Sequence, residues 1–361
     1  MSTLKDVAKY AGVSTSTVSR VINGRDYVSE VARQKVHEAI NALGYQPNLL
    51  AQSLVKGTTT RQLGVLVYDI ANSYFAEITK AFEAIAYEHD YAVILCNTAE
   101  GSRTSRYLDM FIQRNVDGVA IIGSKMETEI IKRLQILLER NIYVALTREK
   151  EWIDNPLMDA LGGGSGVVEF DTRKGAYMAI DFLISQGHER IAGLFSTRKG
   201  ELKQDPRFRG YMDAMIDRGI PFDEKLLVAD LSTNKDGGFL GMSEILRRKT
   251  GCTAVFAFND LLAIGALALC QREGIRVPDE LSVISMDDTK DSIFTNPPLT
   301  TIRIPRKEQG EFMANYLVTK IQGGDPPPFL SLPVQLTVRQ SVRSLREKKG
   351  ESAEKREINE V

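Results

Sequence analysis

The sequence predicts an N-terminal all-α headpiece with a helix-turn-helix, a hinge segment, and a larger two-lobed α/β core built on parallel sheets. Apolar residues recur with helical spacing in the first part of the chain. From residue 62 onward, continuous apolar runs alternate with helical stretches, which is typical of parallel sheets covered on both faces. This alternation occurs twice, which favours two similar lobes with a cleft between them.

The two N-terminal helices are predicted from apolar stripes. The first stripe has the spacing i, i+3, i+4 and i+7, and it consists of Leu4, Val7, Ala8 and Ala11. Gly12 ends this helix, because glycine accepts the left-handed conformation cheaply. Ser14 can cap the second helix, whose buried stripe is Val18, Val21 and Ile22. Two short helices joined by a glycine-containing turn predict a helix-turn-helix.

The exposed face of the second helix carries hydroxyl groups and one arginine, namely Thr15, Ser16, Thr17, Ser19 and Arg20. Arginine can donate two hydrogen bonds to guanine, and hydroxyl groups can bond bases or phosphates. Residues 1–60 hold seven basic and four acidic side chains, a net charge of +3 in a chain of net charge -1. This asymmetry supports DNA binding. An ordinary helical bundle with a polar face remains the alternative on spacing alone.

A third helix and a linker complete this region. The third helix is predicted over Val28 to Leu43, with Ser29 as its cap and Gly44 at its end. Residues 48–54 are compatible with a helix but too short to hold one alone in water, and residues 56–60 are expected to be a flexible joint. The predicted domains are therefore a headpiece over 1–47, a hinge helix and linker over 48–61, a core over 62–343, and a disordered charged tail over 344–361.

Several motifs of the headpiece resemble the LacI/GalR family of bacterial transcription regulators. They are Leu4 to Ala8, Ala11 to Ser14, Thr17 to Asn23 and Leu43 to Asn48. The exposed face of the second helix and the resemblance to the family together give the expected DNA contacts, which are Thr3, Ser14, Thr15, Ser16, Thr17, Ser19, Arg20, Asn23, Asn48, Ala51 and Leu54. The resemblance implies that Leu54 is wedged between base pairs in the minor groove and kinks the duplex.

The resemblance covers about residues 2–343. It implies a periplasmic-binding-protein-like core and a homodimer on double-stranded palindromic operator DNA. It also implies a small-molecule effector, a sugar or sugar derivative, that acts allosterically. A purine-like corepressor remains the alternative within the same class. The charged tail lacks a leucine heptad, which argues against a coiled-coil tetramer.

Polar residues that follow the apolar strands predict the effector site, because ligands of parallel sheets bind at the carboxyl ends of strands. The expected effector residues are Tyr74, Phe75, Thr147, Arg148, Arg207, Asn259 and Asp287. Guanidinium, carboxylate and amide groups with aromatic rings suit a sugar. For any single residue, a helix cap or a surface salt bridge is the alternative. Thr147 stands where the family commonly has an aspartate, and Arg148 follows it, which suggests an anionic ligand as a hypothesis.

The sequence disfavours other classes of protein. Cys96, Cys252 and Cys270 lie far apart in apolar segments and are expected to be buried thiols, with no metal site and no cofactor. No nucleophile elbow, metal cluster or dinucleotide fingerprint is present, so an enzyme is not expected. The N-terminus does not resemble a signal peptide, and no apolar run could span a membrane. A cytoplasmic protein is expected, and a solute-binding protein is disfavoured.

The core strands are expected at residues 63–68, 91–96, 119–122 and 142–146 in the first lobe. In the second lobe they are expected at 190–195, 226–229, 254–258 and 281–286. The segment Glu149 to Gly166, which contains several glycines, is interpreted as a surface loop rather than a phosphate cradle.

Overall fold

The computed structural model describes residues 2–22, 27–45, 59–98, 103–123, 127–150, 161 and 164–346. The chain divides into two compact units, Met1–Thr60 and Arg61–Val361. Each unit has a hydrophobic core of its own.

The N-terminal unit contains the helices α1 (Leu4–Ala11), α2 (Thr15–Ile22) and α3 (Glu30–Leu43). Gly12 ends α1 with a φ of 65°, and the Thr17 backbone N–H donates to Ser14 Oγ at the start of α2. The buried core consists of Val7, Ala8, Ala11, Val18, Val21, Val36 and Ala39. These contacts confirm the predicted helix-turn-helix. The helix α3 begins at Glu30, later than predicted, because Ser29 is its N-cap.

The strands of the larger unit are β1 (Gln62–Val67), β2 (Ala92–Asn97), β3 (Gly118–Ile122), β4 (Tyr143–Glu149), β5 (Ser165–Phe170), β6 (Ile191–Leu194), β7 (Leu227–Val228), β8 (Ala254–Ala257), β9 (Ser282–Asp287), β10 (Thr300–Arg303), β11 (Phe329–Leu332) and β12 (Gln335–Thr337). Its α-helices are α4 (Ser73–Glu88), α5 (Arg103–Arg114), α6 (Thr128–Glu139), α7 (Thr172–Ser185), α8 (Pro206–Asp217), α9 (Lys235–Arg247), α10 (Asp260–Arg272) and α11 (Lys307–Ile321). Short 3₁₀ helices lie at Lys199–Gln204, Glu224–Leu226 and Lys290–Ile293.

These strands form two six-stranded sheets, which define lobe 1 and lobe 2. The sheet of lobe 1 has the order β11-β5-β4-β3-β1-β2 and is parallel throughout. The sheet of lobe 2 has the order β12-β10-β9-β8-β6-β7, and only β12 runs antiparallel to its neighbour. Apolar clusters from helices cover both faces of each sheet. The predicted two-lobed architecture with parallel sheets is confirmed.

The chain crosses between the lobes more than once. It leaves lobe 1 after β5, returns between β10 and α11, and leaves again between β11 and β12. The helix α11 packs closely on α4, since a Cβ on Gly310 would lie 2.3 Å from the Ile78 carbonyl oxygen. Residues near the C-terminus therefore complete the first lobe.

The structure corrects several sequence-based boundaries. The strand β4 continues to Glu149, three residues beyond its predicted end, and β5 starts at Ser165 inside the segment interpreted as a loop. The edge strand β11 was not predicted. Cys96 and Cys270 are buried as expected, whereas Cys252 is only partly buried. The backbone N–H of Leu345 donates to the Gln186 carbonyl, so residues assigned to the tail already contact lobe 2.

Among the described residues, no helix has the length and apolarity to cross a membrane. The same part of the chain contains no group of three or more histidine, cysteine, aspartate or glutamate side chains placed to hold a metal ion.

Candidate functional site

The first candidate site is the outward face of α2. Thr15, Ser16 and Arg20 are exposed, whereas Thr17 and Ser19 are half-buried. The Ser14 hydroxyl lies 2.7 Å from Ser16 Oγ and 2.8 Å from Thr17 Oγ1, in addition to its capping bond. Ser14 and Thr17 therefore order the start of the helix. The side chains that this arrangement presents outward are short hydroxyl groups and one long cation, a combination suited to bases and phosphates.

Thr3 caps α1 rather than standing free. Its hydroxyl donates to the Asp6 carboxylate at 2.7 Å, its backbone N–H donates at 2.8 Å, and its oxygen accepts from the Asp6 N–H. The hydroxyl bond, then the backbone bond, lower the pKa of Asp6. The predicted DNA contacts Asn23, Asn48, Ala51 and Leu54 lie outside the described residues and stay predictions.

The second candidate site is the cleft of the larger unit, and Arg207 is its central cation. Arg207 opens α8, where Asp205 is the N-cap and accepts from the Arg207 backbone N–H at 2.8 Å. Its Nη1 donates to Glu149 Oε1 at 2.8 Å. Its Cζ lies 4.2 Å from the centre of the Phe258 ring, a cation–π distance. The residue is only 9 % exposed, and its Nε has no hydrogen-bond partner among the described residues.

The surroundings of Arg207 are rich in carboxylates. Burial opposes its charge, but Glu149, Asp205 and Asp287 outweigh burial and raise the pKa of the guanidinium. Glu149 lies at the end of β4 in lobe 1, whereas α8 belongs to lobe 2. The second oxygen of Glu149 accepts from the Thr172 hydroxyl of α7 at 3.0 Å. Glu149 therefore joins the two lobes with both carboxylate oxygens.

Asp287 ends β9, and Asp260, the first residue of α10, lies near it. Asp260 is fully buried and accepts from Ser285 Oγ at 2.5 Å, Thr301 Oγ1 at 2.7 Å, and Thr289 N and Oγ1 at 2.7 and 2.9 Å. Asp287 is buried, and among the described residues no such set of donors bonds its carboxylate. Its burial, followed by the nearby charge of Asp260, raises its pKa. Asp260 therefore holds the turn after β9 in place, and the role of Asp287 as an effector contact stays a prediction.

Asn259 caps α10. Its Oδ1 accepts from the Leu262 N–H at 2.9 Å, and its Nδ2 donates to the Thr233 carbonyl at 3.3 Å. Both ends of the amide are thus engaged in holding the strand end. The role of Asn259 as an effector contact stays a prediction.

The aromatic wall comes from the start of α4. Tyr74 is buried, and its ring meets that of Phe75 edge to face with 5.1 Å between centroids. The Tyr74 hydroxyl accepts from Gln309 Nε2 at 3.3 Å. Burial and then the charge of Asp287 raise the pKa of Tyr74. The candidate site therefore combines the rings of Tyr74 and Phe75 from lobe 1 with Arg207 and Asp287 from lobe 2.

Thr147 and Arg148 lie on opposite faces of β4, since successive side chains of a strand alternate. The Thr147 hydroxyl accepts from the Gly123 N–H at 3.1 Å. The Arg148 Nη2 donates to Glu169 Oε2 of the adjacent strand at 3.0 Å, and Phe329 lies beside the guanidinium. Arg148 is thus paired with a carboxylate of its own lobe. The Nε of Arg148 has no hydrogen-bond partner among the described residues, and the effector role of Arg148 and the hypothesis of an anionic ligand there stay predictions.

The sequence reasoning missed Glu149, Thr172 and Phe258 as members of the cleft. Glu149 is two residues after Thr147, so it shares that residue's face once β4 is recognised as long enough. A longer strand assignment would therefore have identified it. Phe258 directly precedes Asn259, and only the fold shows that it lies over Arg207.

Comparisons with known proteins agree with both units. Residues 3–48 match the family described as bacterial regulatory proteins, lacI family. Residues 180–342 match the periplasmic binding protein-like domain. The chain is 33% identical over 326 residues to the "HTH-type transcriptional repressor PurR" of Vibrio atlanticus, with 90% of this chain and 93% of the relative covered.

Two solved structures show the same fold. One is the "transcriptional regulator CelR-cellobiose complex", with 29% identity, a TM-score of 0.67, and coverage of 94% of this chain and 100% of that one. The other is a LacI family regulator from Enterococcus faecium with bound ribose, with 28% identity, a TM-score of 0.67, and coverage of 79% of this chain and 100% of that one. The chain belongs to the LacI family of bacterial regulatory proteins and is a DNA-binding transcriptional regulator.

Proposed function

We propose that this regulator is a cytoplasmic repressor whose affinity for its operator is set by a small ligand, a sugar or sugar derivative, in the cleft between the lobes. The observation that carries the proposal is the placement of Arg207. Its buried guanidinium lies under an aromatic ring at the meeting of the two lobes, and its Nε has no hydrogen-bond partner among the described residues. A ligand oxygen would satisfy this donor.

The proposed DNA mechanism uses the face of α2. Thr15, Ser16 and Arg20 contact bases in the major groove of double-stranded operator DNA, and Leu54 of the hinge kinks its centre. One helix of eight residues reads few base pairs, so we propose a homodimer on a palindromic site. Ligand binding changes the angle between the lobes and shifts operator affinity by a coupling free energy of about 1–3 kcal/mol.

The ligand class is supported by the chemistry of the cleft. Arg207 and Asp287 supply a donor and an acceptor for hydroxyl groups, and Tyr74 and Phe75 supply an aromatic wall for the apolar face of a sugar ring. Structural relatives with cellobiose and ribose bound are consistent with this class. A purine-like corepressor is the alternative within the same family, and aromatic rings could also stack on a nucleobase.

The DNA half of the proposal is tested with an operator selected from random double-stranded DNA by the purified protein. We expect Arg20→Ala to weaken binding by about 5- to 150-fold and to relax the preference at one position of each half-site. Lys35→Ala removes an exposed positive charge from α3 and serves as the matched control. Equal losses in both variants would contradict base reading by Arg20.

The ligand half is tested by a thermal-shift panel of neutral sugars, sugar acids, sugar phosphates and nucleobases. A ligand at about 100 times its dissociation constant stabilises the folded protein by roughly 2.7 kcal/mol. We expect a shift with a sugar or a derivative, and a matching change in operator affinity. A shift with nucleobases alone would replace the sugar by the purine-like alternative. A blank panel with operator still bound would contradict the proposed effector site.

A further inference from the structure

The Arg207–Glu149 pair places a carboxylate of the protein itself in the proposed effector site. The two side chains are 11% and 20% exposed, and their contact distance is 2.8 Å. Glu149 is held from the other side by the Thr172 hydroxyl. Its position is therefore fixed from both lobes, and it occupies one donor of the arginine that a ligand would use.

The charges around this pair leave no surplus of cations among the described residues of the cleft. Arg207 is influenced by Glu149, Asp205 and Asp287 together. The other nearby arginine, Arg306, contacts Glu77 at 3.1 Å and donates to the backbone carbonyls of Asp287 and Asp288. The positive charge at the site is thus already matched by carboxylates.

An anionic ligand would meet this arrangement unfavourably. Glu149 takes only the Nη1 donor of Arg207, so a carboxylate or phosphate that binds the unpartnered Nε side of the guanidinium would bring a second negative charge close to Glu149 and Asp287. The repulsion is strong because the site is mostly buried, where charges are weakly screened. A neutral hydroxyl oxygen carries no such penalty, and the unpartnered Nε of Arg207 can donate to it without moving Glu149.

We propose that Glu149 determines the class of ligand: it excludes carboxylate and phosphate ligands from the Arg207 site and admits uncharged polyols. The inference rests on the proposed function of the cleft as the effector site. It differs from the hypothesis suggested by Arg148 in the sequence, because the charge that matters lies on the opposite face of β4.

The experiment compares three forms of the full chain: wild type, Glu149→Gln and Glu169→Gln. Glu169→Gln is the matched control, because it removes a carboxylate that also starts from this sheet and pairs with an arginine, but on the other face. Each form is titrated with ribose, glucose and cellobiose, and with galacturonate, glucose 6-phosphate and inorganic phosphate. Melting temperature is the readout, at ionic strength matched with sodium chloride.

We expect wild type and Glu169→Gln to respond to at least one neutral sugar and not to the acidic compounds. Glu149→Gln keeps the shape of the side chain and loses its charge, so its affinity for the acidic compounds should rise by at least about tenfold. Glu149→Ala should show the same gain, which separates loss of charge from the new amide contacts.

The outcomes separate the inference from the proposed function. Acidic compounds that bind wild type as tightly as they bind Glu149→Gln would overturn the inference and leave the effector site standing. A gain of acid binding in Glu169→Gln alone would also overturn it and would assign the anion contact to Arg148. No response of any form to any compound would overturn the proposed function, and the inference with it.

Discussion

Two arginine–glutamate pairs start from neighbouring residues of β4 and serve different purposes. Arg148 pairs with Glu169 across two strands of one sheet, whereas Glu149 pairs with Arg207 across two lobes. The distances are similar, 3.0 and 2.8 Å. Strand alternation alone directs one side chain to each face. A short distance between two charges therefore does not define a ligand site. A pair that connects the two lobes can respond to a ligand between them, whereas a pair within one sheet cannot.

The largest difference between the two pairs is expected in their effect on ligand affinity. Arg207→Ala removes the central cation and leaves Glu149 and Asp287 without it, so affinity for the sugar with the largest thermal shift should fall by about 100-fold or more. Arg148→Ala should change that affinity by less than about threefold, because Arg148 pairs with Glu169 on the other face of β4 from Glu149. Calorimetric titration of both variants measures the two losses. A comparable loss in Arg148→Ala would restore its predicted role in the effector site.

For stability without ligand, we expect the Arg148–Glu169 pair to matter more than the Arg207–Glu149 pair. Glu169 is 6% exposed as a side chain, and Glu169→Gln leaves the charge of Arg148 without its partner, so the free energy of unfolding should fall by about 1–3 kcal/mol. Glu149→Gln should cost less than about 1 kcal/mol, because the Glu149 side chain is 20% exposed and the carboxylates of Asp205 and Asp287 remain near the charge of Arg207. Urea denaturation measures both values. Equal losses would contradict the distinction between the pairs.

A smaller effect is expected in the dependence of stability on pH. Burial and the charge of Asp260 raise the pKa of Asp287, which lies on the Arg207 side of the comparison. A carboxyl whose pKa is raised on folding binds its proton more tightly in the folded state, so its contribution to stability decreases as pH rises above about 3.8 through the raised pKa.

Asp287→Asn cannot titrate at this position, so its free energy of unfolding should fall less between pH 5 and pH 7 than that of wild type. Denaturation curves at the two pH values measure the difference. Parallel pH dependences in the two proteins would show that Asp287 keeps an ordinary pKa.

The sequence predicted the parts of the site that follow from local patterns. Arg207 and Asp287 were found because polar residues at strand ends meet in a cleft, and the structure brings them together. Glu149 was missed because its strand ends in three polar residues, Thr147, Arg148 and Glu149, which hide the alternation. The strand β11 was missed because its partner β5 is remote in sequence. Pairings of that kind depend on tertiary structure rather than on local preference.

The crossings between the lobes have a consequence for synthesis on the ribosome. Lobe 1 lacks α11 and its edge strand β11 until residues 307–332 have emerged, whereas α1, α2 and α3 are available once residue 43 has emerged. Since chains fold as they are made, from the N-terminus onward, the helix-turn-helix can form long before the cleft. A prematurely released chain would carry the α2 face without a complete Glu149 and Arg207 site, and would be insensitive to any ligand of the cleft.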